Sequence, residues 1–225
     1  MINHILGYNF NNPFLLKEAL THPSLSIVTA KHNTSINNYE RLEFLGDSVL
    51  NLVIAELLMK QFYEEDEGKL AKRRSSLVAG DFLAILSHQI GLGSMIEMTE
   101  AEAKLGGREN NHNLENVLEA IIGAIYLDSN LEQVKQVIHR LWQPFIDSMP
   151  EVPTDPKSKL QEILQKNGHP LPKYELVESA GPGHMPIFKI RLKIDRFEEV
   201  IGEGKSKQQA EKQAAKLLLA QIERK

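Results

Sequence analysis

The feature that most constrains this chain is a break, MPEVPTDPKS at residues 149–158, where three prolines fall within ten residues. Proline lacks the backbone N–H that a helix interior or central strand needs and clashes with the preceding turn, so the stretch reads as a short semi-rigid linker. The two sides of it differ in kind. Before it, apolar residues recur at helical spacing over Pro13 to Thr21, Tyr39 to Phe62, Lys69 to Gly91, Leu114 to Leu127 and Leu131 to Ser148, and strand patterns are nearly absent. After it the predicted order is helix (Lys157 to Asn167), strand (Lys173 to Ser179), strand (Ile187 to Ile194), strand (Glu198 to Glu203) and helix (Ser206 to Arg224), with a Gly-Pro-Gly turn between the first two strands. The expectation is a mainly helical unit over 1–150, a linker at 151–155 and an α-β-β-β-α unit over 156–225.

Charge divides at the same place. Residues 154–225 carry 14 Lys and Arg against 10 Asp and Glu, and the rest of the chain 12 against 20, so the net −4 is a +4 unit behind a −8 unit. The absence of cysteine excludes a disulfide framework, a thiolate zinc site and a cysteine nucleophile, and is compatible with a reducing cytoplasm. The longest apolar runs, near Val49 to Met59 and Ala120 to Leu127, fall short of the ~20 residues that span a bilayer, and the first residues lack the order of a signal peptide. The reading is a soluble, cytoplasmic protein with no membrane partner. Histidines are scattered without ligand spacing, and no Ser-His-Asp order, P-loop or dinucleotide-binding glycine pattern occurs, so no organic cofactor is expected.

Two stripes of oxygen-bearing side chains stand out: Glu40, Glu43 and Asp47 in YERLEFLGDSVL, and Asn116 and Glu119 in NLENVLEAIIGAIYLD. A helix turns about 100° per residue, so each set lies along one line. With Glu40 at the origin, Glu43 falls near 300° and Asp47 near 340°, whereas Leu42, Leu45, Val49, Leu52 and Val53 occupy about 120–220°. Like charges so stacked repel and need a compensating cation; hard oxygen ligands from two helices suit Mg²⁺ or Mn²⁺. Phe44, near 40°, lies beside the acids and off the apolar face, which points to a partner subunit as its cover. Gly123, on the stripe of Asn116, is expected to let the two acidic helices approach closely.

ERLEFLGDSVL at 40–50 resembles the signature of the ribonuclease III family, and GEGKSKQQAEKQAAKLLL at 202–219 resembles the second half of a double-stranded RNA-binding domain. With GYNFNNPFLLKEALTHPS at 7–24, EGKLAKRRSSLV at 67–78, GGR at 106–108 and NVLEAIIGAIYLD at 116–128, the likeness spans nearly the whole chain. It implies a ribonuclease III-type helical catalytic domain followed by an RNA-binding domain. The implied activity is Mg²⁺-dependent endonucleolytic hydrolysis of double-stranded RNA, with Mn²⁺ as a substitute ion, leaving 5′-phosphate and 3′-hydroxyl ends. The implied substrates are ribosomal and other structured RNA precursors. It also implies an inner cluster of Glu43, Asp47, Asn116 and Glu119, outer acids Glu40 and Glu67, and greatest damage to turnover on loss of Asp47 or Glu119. A homodimer is implied, with Phe44 packed into a socket on its twin. RNA contacts would come from Lys159, Gln161 and Glu162 on the first helix of the binding unit, from His184 in the loop, and from Lys205, Lys207 and Lys212 near the last helix.

Two positions depart from the family pattern. Asn116 stands where Asp is common, which keeps an oxygen ligand but removes a charge, and Lys207-Gln208 replaces consecutive lysines. Glu115 lies about 100° around the helix from Asn116 and is not expected to replace the missing acid. The departures leave open an alternative: a duplex-RNA-binding homodimer whose catalytic half is weakened.

Overall fold

Helices begin readily where a short polar side chain can accept the free N–H groups of a first turn, and several helices in this chain start that way. Asn12 accepts from Phe14 N, Asp66 from Lys69 N at 2.9 Å, Asn110 from His112 N and Asn130 from Gln133 N. The computed structural model describes residues 2–30, 37–180, 186–194 and 197–222. Contacts divide the chain into two units, Met1–Pro153 and Thr154–Lys225.

The first unit contains α1 (Ile2–Leu6), α2 (Pro13–Leu20), α3 (Pro23–Ala30), α4 (Glu40–Gln61), α5 (Glu67–Leu77), α6 (Gly80–Gln89), α7 (Glu100–Lys104), α8 (Asn111–Asp128) and α9 (Leu131–Asp147). The single helix expected over Lys69 to Gly91 is in fact two. Ala79 is extended at φ −68° and ψ 141°, and the bend lets Leu77 of α5 and Leu83, Ala84 and Leu86 of α6 all reach the core.

Helix α8 is buried almost all round, through Leu114, Val117, Leu118, Ala120, Ile121, Ile122, Ala124 and Ile125, and α4 packs directly on it. A Cβ on Gly46 would overlap the carbonyl of Glu119, and one on Gly123 would overlap the carbonyl of Leu42. The two backbones therefore meet at a glycine on each helix, and the close approach expected at Gly123 is present. This contact rolls α4. Its buried face is Leu42, Gly46, Val49, Leu50, Val53 and Ile54, displaced about 70° toward the acids from the face read in the sequence. Leu52, expected in the core, is consequently 56% exposed.

The second unit is α10 (Pro156–Lys166), β1 (Lys173–Ala180), β2 (Ile187–Lys193), β3 (Val200–Gly204) and α11 (Lys207–Ile222), with the strands antiparallel in the order β1-β2-β3. Ile190 pairs with Leu176 on one side and Gly202 on the other, and a bulge lies between Leu176 and Glu178. Leu160, Leu164, Leu192, Ile194, Val200, Ala214, Ala215, Leu218 and Leu219 make its core. The packing face of α11 centres on Ala214 and Leu218, so Leu217, about 100° away, is 43% exposed while Leu219 is buried. Ion pairs from Lys157 to Glu211 (2.5 Å) and from Lys212 to Asp155 (3.1 Å) join α10 to α11.

Candidate active site and RNA-binding surface

The glycine contact between α4 and α8 brings the two acidic stripes together along one seam. Asn116 and Glu119 are 7% and 8% exposed, Glu43 is half-buried, and Asp47 faces solvent. Burial, followed by the fields of Asp47, Glu115 and Glu43, pushes the Glu119 carboxyl up to about 8. Glu43 is also raised, by burial first and then by Glu40, Glu115 and Asp47, against an opposing pull from His112. Charges act on one another this strongly only at short range, so Glu43, Asp47, Glu115 and Glu119 share one neighbourhood.

Little within the chain offsets that charge. Among the described residues, no Lys or Arg forms an ion pair with Glu43, Asp47, Glu115 or Glu119, and the one basic partner is His112, with Nδ1 3.5 Å from Oε2 of Glu115. Asp47 Oδ1 accepts from Asn51 Nδ2 at 2.8 Å. Tyr39, 3% exposed, donates its hydroxyl proton toward Asn113 Oδ1 at 3.5 Å and hydrogen-bonds Asn116; burial holds the phenol up at about 12. Among the described residues no three Asp, Glu or His side chains are already gathered about one point as a closed cage. The acids stand apart, as like charges do. The set nevertheless fits a hard divalent ion: its donors are all oxygen, three are carboxyl groups, Asn116 adds a neutral carbonyl, and burial together with the neighbours' fields keeps the Glu119 carboxyl protonated until a cation offsets them.

The outer acids separate. Glu40 lies at the start of α4, accepts from Asn38 Nδ2 at 3.0 Å, and acts on both Glu43 and Tyr39. Glu67 is not brought to the cluster by the chain's own fold. It opens α5 and rims a cleft of about 320 Å³ with Ala55, Leu58, Met59, Leu70, Ala71 and Arg74. At 1.5 Å per residue, Ala55 to Met59 lie about 12–18 Å along α4 from Asp47. Phe44 is 80% exposed, as its position off the apolar face required.

Four further residues shape this site. Gly46 carries no hydropathy signal because it lacks a Cβ. Tyr39 precedes the acidic helix, and its hydroxyl bonds into α8. His112 lacks ligand spacing in the sequence and meets the acids through the first turn of α8. Glu115 is not aimed to stand in for an acid at 116; its field reaches both Glu43 and Glu119, and a Cβ on Gly80 would collide with its carboxylate. Glu115 is therefore held where α4, α6 and α8 meet.

In the second unit, Gln161 and Glu162 of α10 are exposed and Lys159 is half-buried beside Lys216, a further lysine on the same surface. Lys205 and Lys207 are exposed at the start of α11, where Ser206 Oγ accepts from Gln209 N at 3.2 Å. Lys212, expected on phosphate, is paired with Asp155, the cap of α10. His184 and the loop around it lie outside the described residues. Among the described residues no helix is long and apolar enough to cross a membrane.

Comparison with known proteins gives a consistent result. A family profile described as "Ribonuclease-III-like" matches residues 12–144, and one described as "Double-stranded RNA binding motif" matches 156–222. The chain is 49% identical over 221 residues to the protein named Ribonuclease 3 of Wolbachia pipientis wMel, spanning 98% of this chain and 94% of that one. To Ribonuclease 3 of Ehrlichia canis (strain Jake) it is 44% identical over 221 residues, spanning 98% and 96%. It is also similar to the nuclease domain of ribonuclease III from Campylobacter jejuni, solved in a study of flexibility in a region involved in dimer formation. That likeness has a TM-score of 0.58 at 40% identity and covers 64% of this chain and 94% of the other.

Proposed function

This chain belongs to the ribonuclease III family, as a bacterial-type endoribonuclease carrying a double-stranded RNA-binding unit, and from that premise we propose that it cuts RNA duplexes at the α4–α8 acid seam with the help of Mg²⁺. The observation that carries this reading is the backbone contact of Gly46 with Glu119 and of Gly123 with Leu42, which sets the buried Glu119 of α8 in the field of Glu43 and Asp47 of α4. Glu43, Asp47, Asn116 and Glu119 would hold the ion. When bound, Mg²⁺ neutralises the phosphate oxygens and lowers the pKa of the attacking water. Tyr39 engages the Asn116 amide and so fixes the one neutral ligand, while Glu40 and Glu115 orient waters from either flank. Water attacks phosphorus, the bond to the 3′ oxygen breaks, and the ends are a 5′-phosphate and a 3′-hydroxyl. The work we assign to it is the processing of ribosomal and other structured RNA precursors in the cytoplasm.

The acidic unit by itself repels RNA, so recruitment falls to the +4 unit. A-form RNA offers a shallow minor groove and regularly spaced phosphates, read by shape over ~16 base pairs. Lys159, Gln161 and Glu162 take one minor groove, His184 the next, and Lys205 and Lys207 the phosphates at the positive end of α11. Lys212 contributes there only if it leaves Asp155.

We assign a two-fold homodimer to the exposed stripe of α4. Phe44, Leu52 and Met59 are 80%, 56% and 64% exposed, and the apolar cleft beside Met59 is of a size to admit an aromatic ring. In an isologous pair the contact forms twice. Seating Phe44 in the partner's cleft would carry the partner subunit's Glu67 toward Glu43 and Asp47, giving that acid a role its own fold does not provide.

The test is incubation of the full chain with a long RNA duplex, with and without Mg²⁺. Cutting that needs the ion, and a Glu119→Ala variant that binds without cutting, are the expected results. Duplex that is bound but intact under every metal condition would leave only the weakened, duplex-binding homodimer.

A further inference from the structure

Arg73 is a charged side chain in the core of the first unit, with 1% of its side chain exposed. Its guanidinium has five N–H donors, and all five are used. Nε and Nη2 donate to the two carboxylate oxygens of Glu65 at 2.8 and 2.7 Å. Nη1 donates to the carbonyls of Met149 (2.6 Å) and Glu151 (3.3 Å), and Nη2 to that of Pro150 (3.4 Å). The plane also stacks 3.7 Å from the centroid of Phe62. Helix α9 ends at Asp147, so the three carbonyls belong to chain that has already left it. A buried cation costs far more than a surface one unless fully paired, and the acceptors chosen here are consecutive residues at the start of the interdomain connector. At the other end, Asp155 is fixed as the cap of α10: its Oδ1 accepts from Lys157 N at 2.9 Å and from Ser158 N at 3.4 Å.

We propose that Arg73 is a positioning residue that clamps the origin of the connector, leaving Val152–Thr154 as its free length, so that duplex held by the second unit is presented to the acid seam at a raised effective concentration. The proposal rests on the division of labour argued above. Without the clamp the free segment would begin at Ser148, seven residues instead of three. Effective concentration falls with about the −3/2 power of tether length, which puts the loss at roughly three- to four-fold.

The experiment uses the full chain. Arg73→Met removes the fork, Arg73→Lys keeps charge but not the five-donor geometry, and four Gly/Ser residues inserted between Val152 and Pro153 lengthen the connector without touching Arg73. Arg73→Met and the insertion should each lower kcat/KM on subsaturating duplex by about three- to four-fold with the duplex Kd unchanged, and their combination, with the free length extended by both, should lower it by roughly seven-fold. Arg73→Lys should fall on the side of Arg73→Met. Because a core variant can fail to fold, backbone NMR relaxation of the unmodified protein provides a second reading: residues 149–151 should be as rigid as α9, and 152–154 mobile. Equal mobility of 149–151 and 152–154, or variants with unchanged kcat/KM in a protein that cuts normally, would overturn the clamp. A wild-type protein that does not cut at all would instead overturn the functional reading on which it rests.

Discussion

Glu119→Gln tests the electrostatic core of the site through stability, without needing turnover. In the metal-free protein the Glu119 carboxyl is raised from 4.5 to about 8. Between those values the folded chain keeps a proton that the unfolded chain has lost, so unfolding free energy falls as pH rises, by about 1.4 kcal/mol per pH unit, and levels off above the folded value. The full span approaches about 5 kcal/mol; since Asp47 is exposed and can swing into solvent, about 3 kcal/mol is the working figure. Glutamine keeps the shape and the neutral state, so the variant escapes this loss. At about 2–4 °C per kcal/mol for a unit of this size, its Tm should exceed that of wild type by roughly 6–12 °C at pH 8–9 and nearly match it at pH 5.

The assay is thermal unfolding in a chelator, followed by fluorescence of Trp142. This sole tryptophan is buried in α9, its indole N–H donating to the Leu77 carbonyl at 2.9 Å, and it reports the first unit alone. Adding Mg²⁺ at about 100 times its Kd should restore about 2.7 kcal/mol to wild type and much less to the variant. A Tm difference that stays flat from pH 5 to 8, or equal stabilisation of both proteins by Mg²⁺, would refute the reasoning.

Gly46→Ala forces a methyl group into the carbonyl of Glu119; it should cost on the order of 3 kcal/mol by Trp142 melting and abolish cutting even at saturating Mg²⁺. Asn116→Asp should keep activity and lower the Mg²⁺ optimum, and Glu115→Gln should raise it with duplex affinity unchanged; two unaltered Mg²⁺ titrations would remove both residues from the site. Phe44→Ala should yield monomers in sedimentation without lowering the Tm of the first unit, because the ring is 80% exposed. Changing Lys205 and Lys207 together to Gln should weaken duplex binding and reduce its salt dependence by about two phosphate contacts.

What could be read in advance was whatever a single helix or strand encodes locally. The 100° step alone aligns Glu43 with Asp47 and Asn116 with Glu119, and the pattern of residues 173–204 predicts three strands. The roll of α4 could not be read that way, because it is decided where Gly46 meets Glu119 across more than 70 residues of sequence, and a missing side chain leaves no trace in a hydropathy pattern. Glu115 shows the same limit: its angle from Asn116 is set on one helix, but a second element, α6 at Gly80, walls its carboxylate, and no single-helix pattern carries that contact. Arg73 stands in the run KRR, where a solvated face is the natural expectation, and its acceptors lie eight residues before it and 76–78 after it. Lys212 shows the limit from the other direction. Its charge and its place near the start of α11 suit a phosphate, yet Asp155 already holds it at 3.1 Å with the lysine side chain 44% exposed. An exposed pair of this kind is worth at most about 1 kcal/mol, less than the pull of a polyanion at low salt, so RNA can take Lys212 from Asp155 and in doing so loosen the cap of α10. Residue type says that a cation stands there; only the competition between its two anions decides which one it serves.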